Sequence, residues 1–355
     1  MTRPARVIID PRAAAHNLSL ARRAAPSCRV MAVLKADAYG HGICRMARAL
    51  DDADAFAVAS LEEAVSLKDA EITKPIVLLE GPFEAAEVPT IVELGLEVVV
   101  HTVEQLHMLE TLSRPLPLWL KIDTGMHRLG FAPERLHETV GLARGVANPL
   151  RFMTHLASAH VRGDASVDDQ IACFKRILAD RPGERSLANS AAIMSRPESH
   201  GDWIRPGLML YGVSPFKGET GAALGLRPVM NLRSCLISVR TVRAGESVGY
   251  GGSFVCPEDM PVGVVACGYG DGYPRNAKTG TPVLVNGVRT QIIGQASMDM
   301  MTVDLRPIVQ AKFGDIVTLW GVGLPIEDVA RASGTIPYEL LCRVKMRAYN
   351  EEGTP

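Results

Sequence analysis

At 355 residues the chain is too long for one small domain and too short for three ordinary ones. Its 38 basic and 39 acidic side chains leave a formal net charge of −1 with no basic stripe, which argues against a nucleic-acid partner. No apolar run approaches the roughly 20 residues of a membrane-spanning helix, and no apolar stretch follows the first ten residues as in a signal peptide, so a cytoplasmic protein is expected.

The pattern from residue 30 to about 211 alternates short apolar runs with helix-like stretches. The runs read as strands are Val30–Leu34, Ala55–Ala59, Pro75–Glu80, Glu97–Val100, Leu118–Ile122, Phe152–Leu156, Ser186–Ala188 and Trp203–Arg205. Between them, Leu61–Ala70 and Val103–Leu112 carry apolar residues at helical spacing, and Ser60 with Glu63 reads as a capping box. Strands alternating with helices predict a parallel sheet, and eight such units predict a closed (β/α)8 TIM barrel. After about residue 225 the texture changes. Leu232–Val242, Pro261–Ala266, Pro282–Val285, Thr290–Gly294, Met301–Leu305 and Ile316–Trp320 are β-rich, and Asn286-Gly287 is a two-residue hairpin signal. Only Ile326–Ala332 and Glu339–Met346 read as helical there. The expectation is α/β overall: a barrel over residues 1–225, then a smaller, mainly antiparallel β domain over 226–355. Seven cysteines, at 28, 44, 173, 235, 256, 267 and 342, form no CxxC pair and read as reduced fillers, not a disulfide framework or a zinc site.

Barrel active sites lie at the C-terminal ends of the strands. The first strand ends in Lys35-Ala36-Asp37-Ala38-Tyr39-Gly40-His41-Gly42, where the lysine is either an imine-forming amine or a solvated loop residue. The fifth ends in Lys121-Ile122-Asp123-Thr124-Gly125-Met126-His127-Arg128, and the sixth in Thr154-His155, a histidine that could equally be a core residue. The seventh gives Asn189-Ser190, which could merely cap a helix. The eighth gives Arg205-Pro206-Gly207-Leu208, whose glycine lets a backbone N–H approach an anion. Together they gather cations, hydroxyls and a glycine N–H at one barrel mouth, without an acidic cluster for a metal, which suits a phosphorylated carbonyl cofactor.

From about Arg6 to Arg347 the chain resembles the alanine racemase family. The segments LKADAYGHG, WLKIDTGMHRLGF, THLA, ANS, IRPGLMLYG, VGYG, GYGDGYPR, ASMDM and PYELL stand in the family's order and approximate spacing. The resemblance implies interconversion of L- and D-alanine through a pyridoxal 5'-phosphate external aldimine, and so D-alanine for peptidoglycan precursors. It implies that Lys35 bears the cofactor as a Schiff base. Tyr39, Ser190 and the backbone at Gly207 and Leu208 would cradle the phosphate. Arg205 would hold the pyridine nitrogen with His155 supporting it. Arg128 would lie near the phenolic oxygen and the substrate carboxylate, beside Lys121, a lysine often carbamylated in the family. Tyr250 would be the second base, Tyr269 would narrow the entrance, and Met298, with Ser297 and Asp299, would contact substrate from the partner subunit. It further implies a homodimer with shared sites, and packing of Val7–Asp10 against the β domain.

Racemisation removes the Cα proton from one face and returns one to the other, so two bases are needed: Lys35 for the D-alanine face and Tyr250 for the L-alanine face. An arginine at the ring nitrogen keeps that nitrogen largely unprotonated and disfavours decarboxylation and transamination. A PLP decarboxylase is expected to carry an acid there, and a non-catalytic PLP-binding barrel would lack the β domain. A broad-spectrum racemase differs chiefly around Tyr269 and Met298. Three departures stand out: Met346, where some members have a phosphate-binding tyrosine; the tail Arg347-Ala348-Tyr349-Asn350; and Ser158-Ala159-His160 after the THLA segment.

Overall fold

The structure, a computed structural model, describes residues 3–344 and 349–353. After β1 (Arg6–Ile9), eight parallel strands close a barrel: β2 (Arg29–Val33), β3 (Ala55–Val58), β4 (Ile76–Leu78), β5 (Glu97–Val100), β6 (Leu116–Lys121), β7 (Ala147–Met153), β8 (Arg185–Asn189) and β9 (Trp203–Arg205), with β9 paired back onto β2. All eight expected runs are barrel strands. They read as near-continuous apolar stretches because both faces are covered: every residue of β3 and β4 is buried.

The remaining strands are β10 (Met230–Val242), a short hairpin of β11 (Ser247–Val248) and β12 (Phe254–Val255), β13 (Met260–Val265), β14 (Pro282–Val285), β15 (Val288–Ile293), β16 (Met301–Asp304), β17 (Ile316–Trp320) and β18 (Tyr349–Glu352). Except for the hairpin, they form with β1 one eight-stranded sheet in the order β13-β16-β15-β14-β17-β10-β1-β18. All its pairings are antiparallel except β1 with β18. Asn286 and Gly287, at φ 48° and 80°, make the expected tight turn between β14 and β15. The helix expected over 339–346 instead spans Pro337–Arg343, and Met346 and Arg347 lie outside the described residues.

The first strand therefore belongs to the last sheet, with Val7 opposite Leu232. Asp10 turns the chain back toward the barrel, its Oδ1 capping the N–H groups of Arg12 and Ala13 at the start of helix Pro11–Ala24. That helix buries Asn17, whose side chain donates to Leu210 and Arg227 carbonyls and accepts from Arg227 N–H. Glu327, in helix Ile326–Ala332, accepts from Ser214 and Gly221 N–H and ties the β domain to the barrel exit. One continuous hydrophobic core runs through both parts, from Met31 and Phe56 to Trp320. Among the described residues no helix is long and apolar enough to cross a membrane.

Candidate active site

Lys35 stands two residues past β2, half-buried at the barrel mouth. The four residues after it, Ala36 to Tyr39, have φ of 55°, 52°, 52° and 54°, one turn of left-handed helix. L-residues pay roughly 1–2 kcal/mol each for that conformation, so the surroundings must impose it. Glu63 accepts from Ala36 N–H at 2.6 Å and Asp37 Oδ1 accepts from Ile43 N–H at 2.7 Å. Ser60 makes no capping bond. The expected capping box is absent because Glu63 reaches Ala59 N–H (2.8 Å) and the neighbouring strand end instead. The turn carries the Tyr39 ring against Tyr211, centroids 4.6 Å apart. His41 is fully buried, with Nδ1 2.9 Å from the Ala38 and Tyr39 carbonyls. Burial pushes its pKa down to about 4, so it is a neutral donor bracing the same turn.

Across the mouth, Ser190 Oγ accepts from Gly207 N–H at 2.9 Å and from Met209 N–H at 3.3 Å. A Cβ at Gly207 would come within 2.8 Å of Tyr39 Oη, so only glycine lets the backbone meet that hydroxyl. Burial holds the Tyr39 phenol well above its ordinary pKa, which keeps it a neutral donor. Two backbone N–H groups and two hydroxyls thus converge in a cradle suited to a phosphate. Leu208 lies buried behind it.

Arg205 is 5% exposed, yet no carboxylate pairs with it among the described residues. Its Nη1 donates to Ser186 Oγ at 2.6 Å, and its Nη2 to the Thr154 carbonyl at 2.7 Å, the Leu187 carbonyl at 3.3 Å and His155 Nδ1 at 3.4 Å. Neutral acceptors fix the guanidinium plane while leaving its charge uncompensated. Burial pushes its pKa down to about 10, still a cation at neutral pH. Burial, then Arg205, Lys121, Arg128 and Lys35, depress His155 well below the histidine range, so it is neutral and accepts from Arg205. Lys121, at the end of β6, is 8% exposed and pushed down to about 8 by burial and by Arg205, Arg128 and Lys35. Arg128 is exposed, on a loop whose start is pinned by Asp123 Oδ1 accepting from Gly125, Met126 and His127 N–H. Arg205, Arg128 and Lys35 therefore all act on Lys121 here, an environment for an anion-bearing ligand.

The β-domain candidates stand apart from this group. Tyr250 is 74% exposed in a turn with Gly249, Gly251 and Gly252 at positive φ, and no hydrogen bond or ring contact joins it to the barrel mouth among the described residues. Tyr269 and Met298 sit together: Tyr269 N–H donates to the Ser297 carbonyl (3.1 Å) and Gly270 N–H to that of Met298 (2.8 Å). Arg275 lies 5.6 Å over the Tyr269 ring. Arg3 fastens both loops, gripping buried Asp271 with two nitrogens (2.8 and 2.6 Å) and donating to the Asp299 carbonyl at 2.8 Å. Sequence reasoning missed Glu63, Asp37, Ser186, Thr154 and Arg3 as supports. Asp37, Thr154 and Asp271 lie inside the LKADAYGHG, THLA and GYGDGYPR segments and Glu63 in the expected capping box, whereas Ser186 and Arg3 carried no local signal as supports.

Comparison with known proteins agrees with this geometry. The alanine racemase N-terminal domain family matches residues 9–215 and the alanine racemase C-terminal domain family residues 229–351. The alanine racemase of Aeromonas hydrophila is 49% identical over 97% of this chain and 98% of its own. The biosynthetic alanine racemase of Pseudomonas aeruginosa superposes with a TM-score of 0.97 at 45% identity, covering 99% of this chain and 100% of that one. The alanine racemase of Bartonella henselae, solved with covalently bound pyridoxal phosphate, superposes with a TM-score of 0.90 at 31% identity over 99% of each chain. The chain belongs to the alanine racemase family.

Proposed function

We propose that this chain interconverts L-alanine and D-alanine with pyridoxal phosphate, using Lys35 and Tyr250 as opposed proton-transfer bases. The observation that carries this reading is Arg205: a buried cation fixed by neutral acceptors, two residues before the Gly207 N–H of the cradle and acting with Lys35 on the same Lys121. The residues fit the cofactor. Tyr39, Ser190 and the backbone at Gly207 and Leu208 would hold its phosphate, Lys35 Nζ its aldehyde carbon, and Arg205, braced by His155, its ring nitrogen. Bound there, pyridoxal phosphate supplies the electron sink that lets a substrate Cα–H ionise. An arginine at the ring nitrogen moderates that sink, which favours proton exchange over the decarboxylation that a carboxylate would support.

Lys35 Nζ serves the D-alanine face and Tyr250 Oη the L-alanine face. Because Tyr250 is exposed on the β domain, it reaches a barrel mouth in a second copy, so the active species is a homodimer with two shared sites. Tyr269 and Met298, brought by the same copy, narrow the entrance and restrict the substrate to a small side chain. Arg128 orients the substrate carboxylate. Lys121, its pKa near 8, forms a carbamate with carbon dioxide, releasing one proton and placing an anion beside Arg128. The chain divides functionally at 225/226, and the protein works in the cytoplasm. The test is Cα proton exchange in deuterium oxide from each enantiomer: Tyr250→Phe should impair abstraction from L-alanine more than from D-alanine, and equal loss in both directions would overturn the two-base assignment.

A further inference from the structure

Glu63 does more than begin its own helix. It lies in the first turn of Leu61–Asp69, after β3, and its two carboxylate oxygens serve two different strand ends. Oε2 accepts from Ala59 N–H at 2.8 Å, a local bond that caps the helix approach. Oε1 crosses to Ala36 N–H at 2.6 Å, 27 positions away. Bonds to an ionised acceptor are roughly twice as strong as neutral ones. Ala36 opens the left-handed turn, so this bond grips the Lys35–Ala36 peptide where backbone strain begins. The far end of the turn is held otherwise, by Asp37 on Ile43 N–H and by Tyr39 packed on Tyr211. Without Glu63 the near end could relax toward right-handed φ, and the Cα–Cβ vector of Lys35 would swing with it.

We propose that Glu63 is the positioning residue for Lys35, fixing the amine in the barrel mouth and, through the turn it starts, setting the Tyr39 hydroxyl against Gly207. This rests on Lys35 being the cofactor-bearing lysine. Glu63 touches no reacting atom and acts through the backbone.

The experiment compares wild type, Glu63→Ala, Glu63→Gln and Lys35→Ala. Three quantities are read: the dissociation constant for pyridoxal phosphate, the pH midpoint of the visible absorbance of the lysine-bound cofactor, and the yield of the borohydride-trapped Lys35 peptide. Glu63→Ala should weaken cofactor binding and lower kcat by roughly 10- to 100-fold, with a smaller change in KM. The pH midpoint should be displaced, and faster amide exchange should be confined to the segment around residues 34–43. Glu63→Gln, which keeps one acceptor oxygen, should fall between, and it carries the test if the alanine variant does not fold. Unchanged midpoint, trapping yield and dissociation constant in the folded variants, with only a lower Tm, would reduce Glu63 to a structural tie and overturn the proposal. Failure to trap cofactor on Lys35 in wild type would instead overturn the lysine assignment itself.

Discussion

A buried lysine surrounded by cations has a measurable consequence. Lys121 folds at a pKa near 8 against an ordinary value of 10.5, so the unfolded chain binds more protons between those two pH values. Stability contributed by this site is therefore lowest below pH 8 and rises as pH increases toward 10.5. The full shift corresponds to on the order of 3 kcal/mol. In buffer free of carbon dioxide, denaturant titrations of wild type should show this rise relative to Lys121→Met, and parallel pH profiles would contradict it. Arg3 is the second residue whose removal is informative. Arg3→Ala leaves the buried Asp271 carboxylate without its arginine, costing on the order of 2 kcal/mol. Because that pair fastens the Tyr269 and Met298 loops, KM for alanine should rise more than kcat falls, and Arg3→Lys should recover only part. Equal steady-state constants in the alanine variant would dissociate Arg3 from the entrance. Lys35, Arg205 and Tyr250 stand in contiguous segments and could be proposed from the sequence. Arg3 could not be, because its partner lies 268 positions away and only the sheet that seats β1 in the last domain brings them together.

At the scale of elements, the decisive piece is the left-handed turn from Ala36 to Tyr39. Ala36→Gly should relieve strain at φ 55° and raise stability by about 1 kcal/mol. It should also lower activity severalfold by loosening the step after Lys35. Thermal unfolding and steady-state rates measured together decide it, since a more stable and equally active variant would show that the strain is not used. Nothing in the letters Lys-Ala-Asp-Ala-Tyr announces such a turn; alanines favour a right-handed helix, and tertiary hydrogen bonds override that preference. The barrel strands were legible because burial on both faces leaves uninterrupted apolar runs. β7 begins at Ala147, five residues before Phe152, because Ala147 still pairs with Leu116 of β6 beyond an irregularity at exposed Asn148 and Pro149. β18 was missed altogether: Tyr-Asn-Glu-Glu has no apolar alternation, and the segment is a strand because it pairs with β1 at the sheet edge.

For the whole molecule, the proposed division of the site rests on topology. The barrel mouth supplies the cradle, Arg205 and Lys35, while Tyr250, Tyr269 and Met298 sit on a domain that shares a continuous core with its own barrel. That shared core, with Tyr250 exposed, supports the proposal that a second copy uses the Tyr250 turn. Motif order alone says nothing about which chain completes which mouth; that expectation comes from the family resemblance, and the exposure of Tyr250 supports it. Mixing Lys35→Ala with Tyr250→Phe, each nearly inactive alone, tests this directly. After subunit exchange, half the dimers are hybrids, and each hybrid carries one site with both bases intact. The account predicts recovery of about a quarter of wild-type racemase activity, as two-fold symmetry with shared sites requires; no recovery despite demonstrated exchange would contradict it.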